Sequence, residues 1–260
     1  MRVALIMGRG GSKSIPGKNV ISVLGRPLVL YPILAALEAK SIDRVVVTSD
    51  CEYILKVASL CGVETIARPP ELSHDTAQMV DGISHALDVL GSEVDLLITM
   101  HANCATHSPG LIDRCVKRLV SDPEADSCVS GTIDRAVHPF RTRKLTPESE
   151  LRPWSEIPEQ TSSNRQSLDP CVILDGATRA MRVATCFPPK GDAPFPYLGK
   201  RILFEENPGG RDVHDEDDVI LSERFLARAG WQDGGLPPFL TGAKTYEADR
   251  IVRGSRGWGH

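Results

Sequence analysis

The chain has 260 residues, 41% of them hydrophobic, and a formal net charge of −4. That length and composition support a sizeable core and exclude a chain that is disordered throughout; the slight acidity excludes a global basic field for nucleic acid, so any anion site must be local. Seven scattered cysteines without C-x-x-C spacing, no apolar run of membrane length and no N-terminal signal segment predict a cytoplasmic protein without a membrane partner.

In chain order, "RVALIM" predicts a buried strand, "PLVLYPILAALEA" a helix after Pro27, "RVVVTS" a second buried strand and "EYILKVASLCG" a helix stopped by Gly62. "VETIA" then reads as a short strand, "TAQMVDGISHALDVLG" as an amphipathic helix, "DLLITM" as a strand, "PGLIDRCVKRLVSD" as a helix and "SCVSGTI" as a strand. This alternation predicts an α/β fold, a single Rossmann-like domain with a mostly parallel sheet and right-handed crossovers. From about residue 135 to 170 the rhythm breaks into a Pro-, Ser- and charge-rich stretch that suits an inserted arm. "CVILDG" and "RILFEE" read as strands, and the acidic "GGRDVHDEDD" leads into the helix "VILSERFLARAG". Residues 1–233 are expected to form the domain and 234–260 a loosely attached tail. Cys51, Cys61, Cys115 and Cys128 are expected as small apolar packing groups.

The loop "GRGGSKSIPGKN" after the first strand carries Arg9, Lys13 and Lys18 among glycines and without a carboxylate. Such a loop stabilises an anion through backbone N–H groups and cationic side chains, at the strand end where open α/β sheets bind ligands. It matches neither familiar phosphate loop. A dinucleotide fingerprint needs a third glycine where Lys13 stands, and a Walker A loop needs glycine at Ser12 and a hydroxyl at Asn19.

This loop, followed by "LGRPL", "TSD", "RPPELSHDTAQ" and a late acidic motif, resembles the CMP-acylneuraminate synthetase family of cytidylyltransferases over roughly residues 1–230. The resemblance implies transfer of CMP from CTP to an acidic acceptor with release of pyrophosphate. It implies that Arg9 and Lys18 hold the triphosphate, with Gly10, Gly11, Ser12 and Asn19 beside them. Such cations stabilise the charge that develops on the α-phosphate and the leaving pyrophosphate. Arg68, Ala77 and Gln78 correspond to positions that meet cytosine. His101 and Asn103 stand where the family carries a polar turn.

Clustered carboxylates beside a phosphate site suit Mg²⁺, with Mn²⁺ as a substitute. The family's pattern is Asp-x-Asp. Asp212 matches the first position and His214 stands in the second, so the expectation is either that Asp212 acts alone or that Asp215 takes over as the second carboxylate. The competing reading of the acidic run is a solvated helix start favoured by the macrodipole. On the acceptor side, Arg165 and Gln166 match the family, Arg141 matches a position that reaches the acceptor, and Lys200 and Arg201 add cations on the strand before the acidic motif. Ile173 replaces the arginine that grips the sugar carboxylate, so the expected acceptor is a phosphonate or a nonulosonate-type acid sugar, with a lean to the phosphonate. A homodimer is expected through the arm. The reading from another class is a nucleotide-binding regulatory protein of the same fold without turnover.

Overall fold

A computed structural model describes residues 1–12, 14–74 and 76–234, so the expected tail lies outside the described residues but for Gly234. The central sheet has seven strands: β1 (Arg2–Met7), β2 (Arg44–Ser49), β3 (Glu64–Ala67), β4 (Leu96–His101), β5 (Ser127–Ile133), β6 (Val172–Arg182) and β7 (Ile202–Glu206). Their spatial order is β7-β5-β6-β4-β1-β2-β3, and β6 alone runs antiparallel to its neighbours. Successive residues of a strand point to opposite faces. Accordingly, Ala4 and Ile6 pack into a core with helices α1 (Leu30–Glu38), α2 (Glu52–Leu60) and α4 (Leu111–Ser121). Val3, Leu5 and Met7 pack on the other face against α3 (Met79–Leu90) and residues 183–198. Each fully buried Leu or Ile contributes about 1.5–3 kcal/mol of apolar burial.

The chain starts at β1, lays β2 and β3 to one side, then returns to place β4 on the other. The strand order therefore reverses between β1 and β4, and the crevice outside their carboxyl ends is where such sheets take ligands. On β6 the register shifts between Leu174, opposite Gly131, and Arg179, opposite Val129. Within the irregular residues 175–178, the Gly176 N–H is left to donate to the Asp212 carboxylate at 2.8 Å. Helix α5 (Glu216–Arg228) begins with a capping box, in which the Asp215 carboxylate accepts from the Asp218 N–H and the Asp218 carboxylate accepts from the Asp215 N–H.

Residues 134–171 form an excursion between β5 and β6 that contains one small antiparallel ribbon, Lys144–Leu145 with Leu151–Arg152. All seven cysteines are free. Cys115 and Cys128 are fully buried, while Cys51 and Cys61 pack half-buried against the core. Among the described residues no helix is long and apolar enough to cross a membrane.

Candidate active site

At the switch point the residues after β1, the segment after β3 and the end of β4 enclose a cleft of about 310 Å³. The loop after β1 supplies Arg9, Gly11, Ser12, Lys18 and Asn19. Arg9 reaches across, donating through Nη1 to the His74 carbonyl at 3.4 Å. Burial pushes the Lys18 ammonium below its ordinary pKa, Arg9 adds to that, and Asp212 and Asp218 oppose it. The side-chain amide of Asn19 donates to the Arg9 carbonyl at 2.8 Å, so this residue shapes the loop. Gly10 does not line the cleft: its N–H donates to Asp50 at 2.9 Å, which takes that donor away from a phosphate.

Arg68, Ala77 and Gln78 line the opposite wall. Arg68 Nη2 donates to the Thr48 carbonyl at 2.9 Å, and its Nε is buried without a partner. It pairs with neither Glu71 nor any other carboxylate among the described residues; burial lowers its pKa and Asp50 opposes the shift. Gly82 makes the placement feasible, because a Cβ there would meet Met7 at 3.1 Å and the Arg68 guanidinium at 3.6 Å. The Ala77 N–H is already donated to His74 at 3.0 Å, which leaves its carbonyl and its surface for a ligand.

His101, at the end of β4, and Asn103 complete the floor. Asn103 donates to the Val213 carbonyl at 3.0 Å and accepts the Val213 N–H at 2.9 Å, tying the residue after Asp212 to β4. Asp212 itself is largely buried. Its Oδ2 lies 2.9 Å from His101 Nδ1, and its Oδ1 accepts from the Gly176 N–H at 2.8 Å. Burial pushes this carboxyl up, but the His101 and Gly176 hydrogen bonds and the Arg179 charge outweigh it and hold the group at about 2. A Cβ at Gly176 would stand 2.3 Å from His101 Nδ1 and 2.4 Å from Asp212 Oδ1, so only glycine permits this approach. Beneath lies a second buried network: Asp175 accepts from Ser130 and from Asn207 at 2.8 Å, and Asn207 also donates to the Thr106 carbonyl at 2.8 Å. It fastens the loop carrying Asp212 to β5 and β6.

Three expected contacts are corrected. The Lys200 and Arg201 N–H groups donate to Asp126 at 2.8 and 2.9 Å, and Arg201 pairs with Asp122 at 2.6 Å. Both precede β7, whose Ile202 pairs with Ser127 at the amino end of β5, so they sit on the opposite rim from the cleft. Asp215 caps α5, and its carboxylate is occupied there rather than at Asp212's side. The His214 N–H donates to Asp218 at 2.9 Å, and the residue is exposed. The other acceptor candidates lie in the excursion. Arg141 donates to the Ser163 carbonyl at 2.5 Å, and Arg165 and Gln166 occupy an exposed 3₁₀ turn. Ile173 is 45% exposed on β6. Sequence reasoning missed Arg179, whose Nη1 lies 2.7 Å from His101 Nε2. A cation inside a long apolar-flanked strand is its only trace in the sequence.

A second cavity, of about 80 Å³, opens between α1, α4 and α5. Its walls include Tyr31, Leu34, Leu111, Leu226 and Trp231 and offer no cation to a phosphate.

A family model described as Cytidylyltransferase matches residues 3–148, more than half of the chain. The chain belongs to that family. N-acylneuraminate cytidylyltransferase B of Danio rerio is 32% identical over 154 residues, 59% of this chain and 35% of its own length. Pseudaminic acid cytidylyltransferase of Campylobacter jejuni (serotype O:23/36, strain 81-176) is 39% identical over 124 residues, 46% of this chain and 53% of its own. The matches thus span between about a third and about half of these relatives. Among solved structures, CMP:2-keto-3-deoxy-manno-octonic acid synthetase complexed with CTP superposes with a TM-score of 0.63 at 16% identity, covering 87% of this chain and 98% of that one. The 4-diphosphocytidyl-2C-methyl-D-erythritol synthase of Anaerococcus prevotii gives 0.58 at 12% identity, covering 87% and 98%. At these identities the likeness establishes the shared fold alone.

Proposed function

We propose that the protein transfers CMP from CTP to an acidic acceptor and releases pyrophosphate, using the cleft between β1 and β4. The observation that carries this reading is the pair of cations Arg9 and Lys18 in the cleft, with the largely buried Asp212 carboxylate behind the floor residue His101, at the switch point of a family member's sheet. An acceptor oxygen attacks the α-phosphorus in line, the bond to the bridging oxygen breaks, and the acceptor's proton passes to solvent. Arg9 and Lys18 stabilise the departing pyrophosphate. Arg68, Ala77 and Gln78 form the wall against which the base lies.

Magnesium, with manganese as a substitute, fits the residues present. A hard cation is commonly held by one or two carboxylates plus substrate phosphate oxygens. Asp212 supplies one carboxylate, and no cluster of three His, Cys, Asp or Glu closes the site among the described residues. Such a cation would neutralise phosphate charge.

The relatives named for N-acylneuraminate and pseudaminic acid support an acid sugar as acceptor. Ile173 supports a phosphonate as the second reading, since a sugar carboxylate would find no bidentate arginine partner at that position. Arg141, Arg165 and Gln166 are the acceptor contacts of either reading. The excursion, with Leu145, Leu151 and Trp154 each more than half exposed, is assigned to pairing with a second copy in a cytoplasmic homodimer; sedimentation of a Trp154→Ser variant as a dimer would remove Trp154 from that interface. Residues 1–233 act as one domain in this reading. Pyrophosphate release with each of the four nucleoside triphosphates and a panel of acid sugars and phosphonates tests it. CTP is expected to be used best, and only with an acid; equal use of UTP or ATP, or no release with any acid, overturns it.

A further inference from the structure

Arg179 stands on β6 just past the register shift and is 5% exposed. Its Nη1 lies 2.7 Å from His101 Nε2, 3.3 Å from the Tyr197 hydroxyl and 3.3 Å from the Met79 sulfur. Its guanidinium carbon sits 5.7 Å from the centre of the Phe195 ring. Among the described residues it forms no ion pair with a carboxylate. The negative charge that it meets is Asp212, on the far side of the His101 ring.

A guanidinium has donors only. Against it, His101 Nε2 has to present its lone pair, and the ring's single proton then resides on Nδ1, where it is donated to Asp212. Asp212, which only accepts, demands the same tautomer from the other side: a proton on Nε2 instead would turn the Nδ1 lone pair toward a carboxylate oxygen, and both contacts would be repulsive. The arrangement Arg179, His101, Asp212 is therefore directional, and each member fixes the next.

We propose that Arg179 is a positioning residue, which donates to His101 Nε2, fixes the ring with Nδ1–H on Asp212 and through it holds that carboxylate in place behind the cleft floor. The proposal rests on the reading of that cleft as the site of nucleotidyl transfer. Groups that orient a reacting or ligating side chain in this way commonly govern activity as strongly as the side chain itself.

The test is a long-range ¹H–¹⁵N spectrum of the histidine-labelled protein at fixed pH. The chain has only seven histidines, and His101 is assigned by its loss in a His101→Asn variant. The wild type should show a protonated Nδ1 and a lone-pair Nε2. Arg179→Met should shift the Nε2 resonance, whose hydrogen-bond donor is gone, while Asp212 keeps a proton on Nδ1, and should lower kcat at least tenfold, with the KM for CTP within about threefold, because Arg9, Lys18 and Arg68 are untouched. Arg179→Lys, another pure donor, should restore the wild-type Nε2 resonance and most of kcat. A wild-type His101 protonated on Nε2 or on both nitrogens overturns the proposal, as does an Arg179→Met protein that keeps the wild-type Nε2 resonance and full kcat. If the Met variant does not fold, the wild-type and Lys spectra decide. If no acid supports turnover, the functional reading fails while the spectrum still reports the tautomer.

Discussion

The two halves of the cleft are built on opposite principles. The loop after β1 brings Arg9 and Lys18 to the cleft from within ten residues of one another, on one connection. The other half gathers Asp212, His101, Gly176 and Arg179 from β4, β6 and the segment before α5, partners separated by 36, 78 and 111 residues in sequence. The first half supplies charge, which acts over several ångströms and tolerates imprecise placement. The second supplies direction, which requires that each donor meet a single acceptor within burial.

The contrast breaks first at Asp212. Asp212→Asn offers one oxygen and one NH₂ to two donors, His101 Nδ1–H and Gly176 N–H, so one contact becomes donor against donor. Activity is expected to fall by on the order of 10³ or more, measured as kcat/KM at saturating magnesium. Full activity would detach the buried half from the chemistry. Next, Lys18→Ala and Arg9→Ala should each lower kcat/KM by on the order of 10², with melting temperatures close to the parent's, because both are half-buried loop side chains outside the hydrophobic core. Thermal melts and steady-state kinetics on the same preparations check both halves of that statement.

A paired substitution sharpens the comparison at the level of a single methyl group. Gly176→Ala should cost about 1–3 kcal/mol through overpacking against His101 and Asp212, and most of the activity with it. Gly11→Ala meets nothing within 4 Å and should be nearly silent in a denaturant titration. Smallest of all, Asp215→Ala should remove about 1 kcal/mol of helix capping while leaving kcat/KM near the parent value. A large kinetic loss there would return Asp215 to the phosphate site.

The same division governs how much the sequence disclosed. The strands "RVALIM", "RVVVTS" and "SCVSGTI" fall at the bounds their sequence runs predict, since a buried strand is written in consecutive residues. The cationic loop was legible for the same reason. Lys200 and Arg201 were misplaced because a strand's direction across a sheet has no local signature; they precede β7 and so fall at its amino end. Asp215 carried a readable sign, an acid three residues before another acid at a helix start, and capping explains it better than a ligand role. Arg179 was hidden for a deeper reason. Periodicity tells that a residue is in a strand, whereas its function comes from a histidine two strands' worth of chain away.

The antiparallel strand β6 has a consequence for inheritance. The family match ends at residue 148, yet β5, which lies inside that span, is held away from β4 by β6, which does not. With neighbouring strands spaced about 4.8 Å apart, a fragment ending there would leave a slot one strand wide in its middle. The sheet has no seam along which the nucleotide half could be exchanged intact. Recombination between relatives would have to carry residues 1–206 as one piece, so the cationic loop and the strand that aims Asp212 travel together.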